Sequence, residues 1–295
     1  MIYDVDHRTV FAYAQSVSIS HHVVHLAPRA RARQTCARSA IVVEPAPAIR
    51  HENHDYFGNP VTFLTVQVPH RELLVHARAR ILVEAGAPVA PDASPAREEV
   101  ARRLETARDA ETLDAYQYAF DSPYVASEDD VYDFARASFA PGRPVLAAAM
   151  HLTTRIFEEF YYQGAVTDVS TPVSEVLRTR QGVCQDFAHL EIACLHSHGL
   201  AARYVSGYLL TRPPDGNERL VGADASHAWI SVWCPGIGWV EFDPTNNLIP
   251  VDEHITLAWG RDYGDVSPIN GFIVGGGDHE VTVAVDVVPV PAAPT

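Results

Sequence analysis

The sequence contains no lysine: all 22 of its basic residues are arginine, set against 37 acidic residues. Chemistry that starts from a lysine amine, such as Schiff-base formation with a carbonyl substrate or a pyridoxal cofactor, is therefore excluded. The net charge of −15 argues against general binding of nucleic acids, because that affinity comes mainly from cations that neutralise phosphates. We expect no nucleic-acid partner.

Long hydrophobic runs are absent as well. No apolar stretch approaches the roughly 18 residues that a membrane-spanning helix requires. The first ten residues, MIYDVDHRTV, lack the basic segment and apolar stretch of a secretory signal. We therefore expect a cytoplasmic protein that makes no membrane contact.

Cysteine is scarce: Cys36, Cys184, Cys194 and Cys234 are widely spaced, and no CxxC pair occurs. A zinc site with four cysteine ligands normally uses such pairs, so this kind of site is disfavoured. Without a secretory signal, the four thiols are expected to be reduced. We expect the protein to work without a metal or a cofactor.

What the chain does contain is a change of pattern after its first third. Residues 1–88 are rich in β-branched residues with period-two alternation, which predicts an antiparallel, β-sandwich-like domain. A proline-rich linker at 86–95 leads into a second domain, 89–295, with helices over 96–200 and a sheet over 201–290. Helices followed by a run of antiparallel strands indicate the α+β class.

Cys184 lies in the stretch QGVCQDFAHL, just after a glycine and at the start of a predicted helix over 183–198. A helix N-terminus carries a partial positive charge, which favours the thiolate form of a cysteine placed there. Its free N–H groups also offer a place for an oxyanion. On these residues alone, a nucleophile and a small side chain packed on the sheet are equal alternatives.

A thiolate nucleophile needs a histidine, and that histidine needs an orienting acid. The chain has 15 histidines, but His227 opens a predicted strand in SHAW, and the next strand ends in FDP with Asp243. A turn centred near 235–236 places His227 opposite residue 243 or 244, on one face of a hairpin. The pair is either catalytic or a polar cross-strand contact without a catalytic role.

Four motifs, GVCQDFAHL, ARYVSGYL, ASHAW and GWVEFDPTNN, occur in the order and at the intervals typical of the transglutaminase-like superfamily. With HDYFGNPV, TDVSTP and WGRDYGDVSPINGF, the sequence resembles more narrowly the bacterial transglutaminase-like proteins with a β-rich N-terminal region. The resemblance covers nearly the whole chain. The nucleophile, base and acid of the family pattern fall on Cys184, His227 and Asp243, with no departure at these positions.

The resemblance implies a papain-like core, in which the nucleophile helix packs against an antiparallel sheet that carries the histidine and the aspartate. It also implies acyl transfer at an amide through a thioester, as in a cysteine protease or a transglutaminase, with a peptide or protein as substrate. The oxyanion would be held by the Cys184 N–H and a second donor, for which Tyr162 and Gln181 are candidates.

Three further residues are candidates for the cleft. Trp229 is expected to form part of the core and the cleft wall. The motif Arg261-Asp262-Tyr263 is expected to border the cleft, because the family resemblance places it there. A structural ion pair is the alternative for this motif.

Hydrolysis is favoured over protein crosslinking, because water is the default acceptor where no amine site is built. A catalytically silent binding or scaffold protein with the same fold remains an alternative. Zinc-dependent hydrolysis at Cys184, His189, His196 and His198 is a further one, although this spacing does not put all four on one helix face. The first domain could restrict the cleft, recruit a substrate or support a homo-oligomer.

Overall fold

In the computed structural model, which describes residues 1–164, 166–210 and 226–290, antiparallel sheets and a group of helices form an α+β fold. The strands are β1 (Ile2–Val24), β2 (Gln34–Glu44), β3 (Ile49–His54), β4 (Pro60–Val66), β5 (His70–Val83), β6 (Tyr161–Tyr162), β7 (Gln181–Gly182), β8 (Ala202–Leu209), β9 (Ser226–Cys234), β10 (Gly238–Phe242), β11 (His254–Gly260), β12 (Ile269–Gly275) and β13 (His279–Val290). The helices are α1 (Arg97–Thr106), α2 (Ala110–Tyr116), α3 (Asp129–Ala135), α4 (Val145–Glu159), α5 (Val173–Thr179), α6 (Cys184–His196) and α7 (Tyr263–Val266). Among the described residues, none of these helices has the length and apolarity that a membrane crossing requires.

The first sheet is organised around β1, a strand of 23 residues. The first half of β1 pairs with β5 on one edge and β13 on the other, and the second half pairs with β4 and β12. Strands β2 and β3 extend the sheet beside β5 and β4. One apolar cluster contains buried residues from both halves of β1, including Val5 and Val24, so the two halves share a core.

The second sheet has the strand order β10-β9-β8-β11 and supports helix α6. This helix contacts β8 and β9 on one side and α3, α4 and α5 on the others. Every residue from 186 to 196 is buried. A helix enclosed on all sides in this way belongs to the core of the protein, and its first residue, Cys184, is held in place by that packing.

Two side-chain amides cover the outer edge of β11. Gln34 accepts from the Thr256 N–H and donates to the Thr256 carbonyl, at 2.8 and 2.7 Å. Asn59 does the same for Trp259, at 2.9 and 2.8 Å. An exposed strand edge leaves N–H and C=O groups unpaired, so the two amides act as the missing neighbour and join the sheets.

The α+β prediction is confirmed, but the sheet predicted over 201–290 is wrong in its last part. Strands β12 and β13 hydrogen-bond to β1 of the first sheet, and the second sheet ends with β11 at Gly260. The pairing partners are at least 245 residues apart in sequence, as the pair Val24 and Ile269 shows. Periodicity indicates where a strand lies but not what it pairs with. The division at residue 88 stays a prediction.

Candidate active site

Cys184 is the first residue of α6, as the sequence predicts. The helix begins there because Asp186 accepts the Val183 N–H at 2.8 Å, which satisfies one of the free donors at the helix start. Thr167 donates to the same carboxylate oxygen at 2.7 Å. The Cys184 side chain is half-buried and packs against the apolar core, so it is neither enclosed nor fully solvated.

Gly182 allows the close approach between the chain and Asp186. A Cβ atom at Gly182 would lie 2.8 Å from both the Cβ and the Oδ2 of Asp186. The helix before it does not end at this glycine: α5 ends at Thr179 and is followed by the capping residue Arg180, which adopts the left-handed conformation with φ 57°. Gly182 is therefore required for space at the start of α6.

Tyr162 is brought next to the thiol by a short parallel pairing of β6 with β7. Its ring contacts Phe187 edge-on and is largely exposed on the outer side, at 62%. Partial burial, followed by the nearby Cys184 and Asp186 charges, raises the pKa of the Tyr162 hydroxyl, which therefore keeps its proton for donation. Gln181, the other oxyanion candidate, lies on the neighbouring strand and is half-buried.

His227 and Asp243 are in direct contact. His227 is in β9, and its Nε2 donates to Asp243 Oδ2 at 2.8 Å. The turn of the hairpin is centred on Gly236, so that Phe242 pairs with Ile230. The register therefore differs by one or two residues from the predicted one, and His227 and Asp243 meet as diagonal neighbours rather than as a directly opposed pair.

The Asp243 carboxylate is fully buried and accepts five N–H groups. Its Oδ2 accepts from His227, from Asn246 Nδ2 at 2.7 Å and from His254 Nε2 at 2.8 Å. Its Oδ1 accepts the backbone N–H groups of Thr245 and Asn246, at 2.9 and 3.1 Å. Burial opposes ionisation, but the hydrogen bonds from His227 and His254, together with the charge of His227, outweigh it and hold the pKa of Asp243 well below its usual range.

The charge state of His227 follows from this environment. Burial lowers the pKa of the imidazole, but hydrogen bonds to Asp243 and to Cys184, with their charges, raise it to about 10. At neutral pH the ring is therefore an imidazolium within hydrogen-bonding reach of the thiol. Because Nε2 is taken by Asp243, Nδ1 is the nitrogen left for Cys184.

Two of the predicted cleft residues do not line a cleft. Trp229 is fully buried and stacks on the inner face of the His227 ring, with centroids 5.9 Å apart. Asp262 is 1% exposed and caps helix α7 by accepting the Gly264 N–H at 2.8 Å. Trp229 is thus a core residue, as predicted, but the prediction that these two side chains border the cleft is wrong, because both are enclosed by the packing they stabilise.

Tyr263 is half-buried, and its backbone N–H donates to His189 Nε2 at 3.1 Å. Its ring packs edge-on against Tyr204, a buried tyrosine beside Cys184. Arg261 forms a two-pronged ion pair with Asp265, both contacts being 2.9 Å. Arg261 of the motif thus forms a structural ion pair, but its partner is Asp265 and not the adjacent Asp262.

Sequence reasoning missed His254, Asn246 and Tyr204. Burial first, then the charge of Cys184, raises the pKa of Tyr204 far above its ordinary value, so this hydroxyl keeps its proton. Neither His254 nor Tyr204 shows a local signal, because the side chains that they meet lie on other strands or on α6. Asn246 is exposed and lies only three residues after Asp243. Of the three contacts, that of Asn246 with Asp243 was therefore the easiest to predict from the sequence.

The proposed zinc set of Cys184, His189, His196 and His198 does not come together. His189 accepts the N–H of Tyr263 at the start of α7, His196 contacts a strand carbonyl at 3.3 Å, and His198 packs against two aromatic rings. Within the described residues, three other ligand-type side chains do converge, with atoms within 4.8 Å of one another: His227, Asp243 and His254. Both imidazoles donate a hydrogen bond from Nε2 to the carboxylate, whereas a metal needs these nitrogens unprotonated. The group fits a hydrogen-bonded charge network better than a metal centre.

Comparison with known proteins matches two parts of the chain to family models. Residues 3–82 match the bacterial transglutaminase-like N-terminal region, and residues 132–244 match the transglutaminase-like superfamily. An uncharacterized protein of Mycobacterium tuberculosis is 40% identical over 294 residues, which cover 97% of this chain and 92% of the relative. The resemblance drawn from the motifs is therefore confirmed.

Two further comparisons concern the fold and one short segment. The crystal structure of a candidate cysteine protease from Cytophaga hutchinsonii superimposes with a TM-score of 0.77 at 20% identity, over 100% of this chain and 92% of that one. A protein-glutamine gamma-glutamyltransferase of Pseudomonas aeruginosa is 38% identical over 73 residues, which are 24% of this chain and 11% of that protein. The first likeness confirms the predicted fold class.

Proposed function

The chain belongs to the transglutaminase-like superfamily, and from that premise we propose that it is a cysteine-dependent enzyme that transfers the acyl group of an amide through a thioester. Cys184 is the nucleophile, His227 is the acid and base, and Asp243 orients His227. The observation that carries the proposal is the His227 imidazole, held by the buried Asp243 and within hydrogen-bonding reach of a half-buried thiol at a helix start.

The reaction proceeds in two steps. The Cys184 thiolate attacks the amide carbonyl carbon, His227 gives its Nδ1 proton to the leaving nitrogen, the C–N bond breaks, and a thioester and a free amine remain. A water or amine then attacks the thioester, its proton passes to His227, and the C–S bond breaks to restore the thiolate–imidazolium pair.

The oxyanion formed in each step needs donors that are in place before the reaction. The Cys184 N–H at the start of α6 is one such donor. Tyr162 is the better candidate for the second, because its hydroxyl keeps its proton and lies near the thiol; Gln181 is the alternative. Removal of one oxyanion donor typically costs about 10²–10³-fold in turnover.

We propose hydrolysis of a peptide, isopeptide or other amide in preference to protein crosslinking. Water reaches the half-buried thiol without a dedicated site, whereas transamidation needs a site that holds an amine. The acidic net charge supports a protein or peptide substrate over a nucleic acid. A cytoplasmic location, no membrane contact and a homo-oligomeric state stay predictions from the sequence.

Iodoacetamide labelling against pH tests the nucleophile. Peptide mapping would follow Cys184 and Cys36 in the same sample, because Cys36 is also half-buried and burial raises the pKa of its thiol. We expect Cys184 to be labelled well below pH 8 and Cys36 only at higher pH. In His227→Ala, the early labelling of Cys184 should be lost while that of Cys36 is unchanged.

Equal labelling of Cys184 in wild type and His227→Ala would contradict the proposal and favour the silent binding or scaffold protein. Where labelling supports the nucleophile, a glutamine-containing peptide library with and without a fluorescent primary amine separates the two reactions. Hydrolysis gives the acid in both cases, whereas crosslinking incorporates the amine.

A further inference from the structure

His254 donates to the same carboxylate oxygen as His227. Its Nε2 lies 2.8 Å from Asp243 Oδ2, the same distance as that of His227 Nε2, and the side chain is 3% exposed. Trp229 fixes the His254 ring by an edge-on contact at 5.0 Å and also stacks on His227. Two imidazoles of fixed orientation therefore share one oxygen.

His254 donates to the carboxylate through its Nε2. A carboxylate only accepts hydrogen bonds, so the proton must sit on the His254 Nε2 that faces it. The other ring nitrogen, Nδ1, is buried without a hydrogen-bond partner among the described residues. A proton placed on Nδ1 instead would be a buried donor without a partner, which is unfavourable, so the tautomer with its proton on Nε2 is favoured.

A carboxylate oxygen that already accepts a proton donor attracts a second proton less strongly. The geometry points to His254 as a positioning residue that, by occupying Asp243 Oδ2, limits how tightly this oxygen holds the His227 proton. The limit matters for the proposed reaction, on which this inference rests, because His227 must release a proton to the leaving nitrogen in every cycle. A general acid is most effective when its affinity for the proton is matched to the working pH.

Other titratable groups also face this cluster. Helix α6 contributes Cys184 and Glu191. Strand β10 contributes Glu241, whose charge interacts with His254. The hydroxyls of Tyr162 and Tyr204 interact with the charge of Cys184. Of these, the Cys184 thiolate affects His227 directly, so the contribution of His254 is measured most clearly without the thiol.

The first experiment is an NMR titration of His227 in the Cys184→Ala background, with and without His254→Leu. Leucine fills much of the ring volume but donates no hydrogen bond. We expect the midpoint of His227 to rise by about one pH unit in His254→Leu, a shift typical for loss of one hydrogen bond to a charge. In His254→Gln, which keeps an N–H donor at a similar distance, the midpoint should stay close to that of the parent.

His7→Leu is the matched control, because His7 is also a buried imidazole with two hydrogen-bond partners, Tyr208 and Thr9, but lies in the first sheet. It should leave the His227 midpoint unchanged. An unchanged or lowered midpoint in His254→Leu would overturn the inference. If His254→Leu does not fold, the ring nitrogens of His254 in the unmodified protein decide: a proton on Nδ1 rather than Nε2 overturns it, and the Nε2–H tautomer supports it.

Labelling of Cys184 in the otherwise unmodified protein then connects the inference to the reaction. In His254→Leu the onset of labelling should move to lower pH, because a more strongly held imidazolium stabilises the thiolate. If the NMR midpoint rises while labelling of Cys184 shows no dependence on His227, the proposed function fails and the role of His254 in the network stands. If labelling depends on His227 but its onset does not move in His254→Leu, the proposed function stands and the inference fails.

Discussion

Asp243 keeps its negative charge inside the protein, and within the described residues no arginine pairs with it. Its charge is balanced by five N–H donors, two of them from imidazoles. A buried carboxylate without donors would cost several kcal/mol and would take up a proton instead. The network thus keeps Asp243 ionised next to His227 at neutral pH.

Asp243→Asn tests this role with little change of shape. Without the anion, burial dominates and the pKa of His227 falls from its value of about 10. The imidazolium then loses its proton at a lower pH than in the wild type. The onset of Cys184 labelling should then move to higher pH, and amide turnover should fall by about 10²–10⁴-fold, as for a triad that loses its acid. The measurement is the pH profile of iodoacetamide labelling. Asp265→Asn, which removes the carboxylate of the half-buried ion pair with Arg261, should leave the profile as it is.

Glu191 is a second buried carboxyl, two turns after Cys184 on the same helix. Burial raises its pKa to about 8, a hydrogen bond from Thr153 opposes the rise, and the charge of Asp243 adds to it. Its Oε1 accepts from Thr153 at 2.6 Å, and its Oε2 is buried without a partner among the described residues. The folded protein therefore keeps this proton when the unfolded chain has already lost it.

The contribution of Glu191 to the free energy of unfolding should consequently fall as the pH rises from about 4 to 8, because over this window its carboxyl group is protonated in the folded state and ionised in the unfolded state. Glu191→Gln keeps the acceptor for Thr153 but has no proton to lose. We expect this variant to be more stable than wild type at pH 8 and similar at pH 5, with a difference of about 1.4 kcal/mol for each unit of pKa shift. Urea denaturation at the two pH values measures it. The exposed Glu105→Gln should show no such difference, and a parallel response of both variants would contradict the assignment.

At the scale of the element, the start of α6 depends on a small space. Gly182→Ala would place a Cβ 2.8 Å from Asp186, so the helix start or the carboxylate must move. We expect a loss of about 1–3 kcal/mol in the free energy of unfolding, which is typical of overpacking, and slower labelling of Cys184. Gly164→Ala is the control, because a Cβ there meets no atom within 4 Å. Equal effects of the two substitutions would exclude this account of Gly182.

The elements that carry Cys184, His227 and Asp243 could be predicted because their signals are local. Strands β8 to β10 alternate or are apolar over short runs. Helix α6 begins two residues after a glycine and has an acid at its third position. The pairing could not be predicted to the residue, since a shift of the turn centre by half a residue moves the register of the whole hairpin. His254 was missed because only the sheet order brings β11 to the rest of the site.

At the scale of the whole molecule, the two sheets are joined by polar contacts at β11. Gln34 is 1% exposed and makes two hydrogen bonds with Thr256 and a third with the Arg29 carbonyl. Thr256 lies two residues after His254 on the same strand. The contact between the sheets therefore also supports the strand that carries part of the charge network.

Gln34→Leu should be strongly destabilising, because it leaves backbone groups of Thr256 and Arg29 buried and unpaired. Each such group costs about 1–3 kcal/mol, so we expect a loss of about 2–4 kcal/mol in the free energy of unfolding. Chemical denaturation measures the loss. Gln15→Leu, an exposed glutamine in β1, is the matched control and should change stability by less than about 0.5 kcal/mol. A similarly small effect of Gln34→Leu would show that the amide does not hold the sheets together.

The pairing of β1 with β12 and β13 also sets the order in which the protein can fold during its synthesis. The partners of the first strand are made about 245 residues after it, a delay of roughly 10–50 seconds at usual rates of translation. During this time one edge of a 23-residue strand has no neighbour and is open to other chains. We infer that β1 to β5 form an incomplete sheet on the ribosome and that the native fold closes only when the last strand emerges.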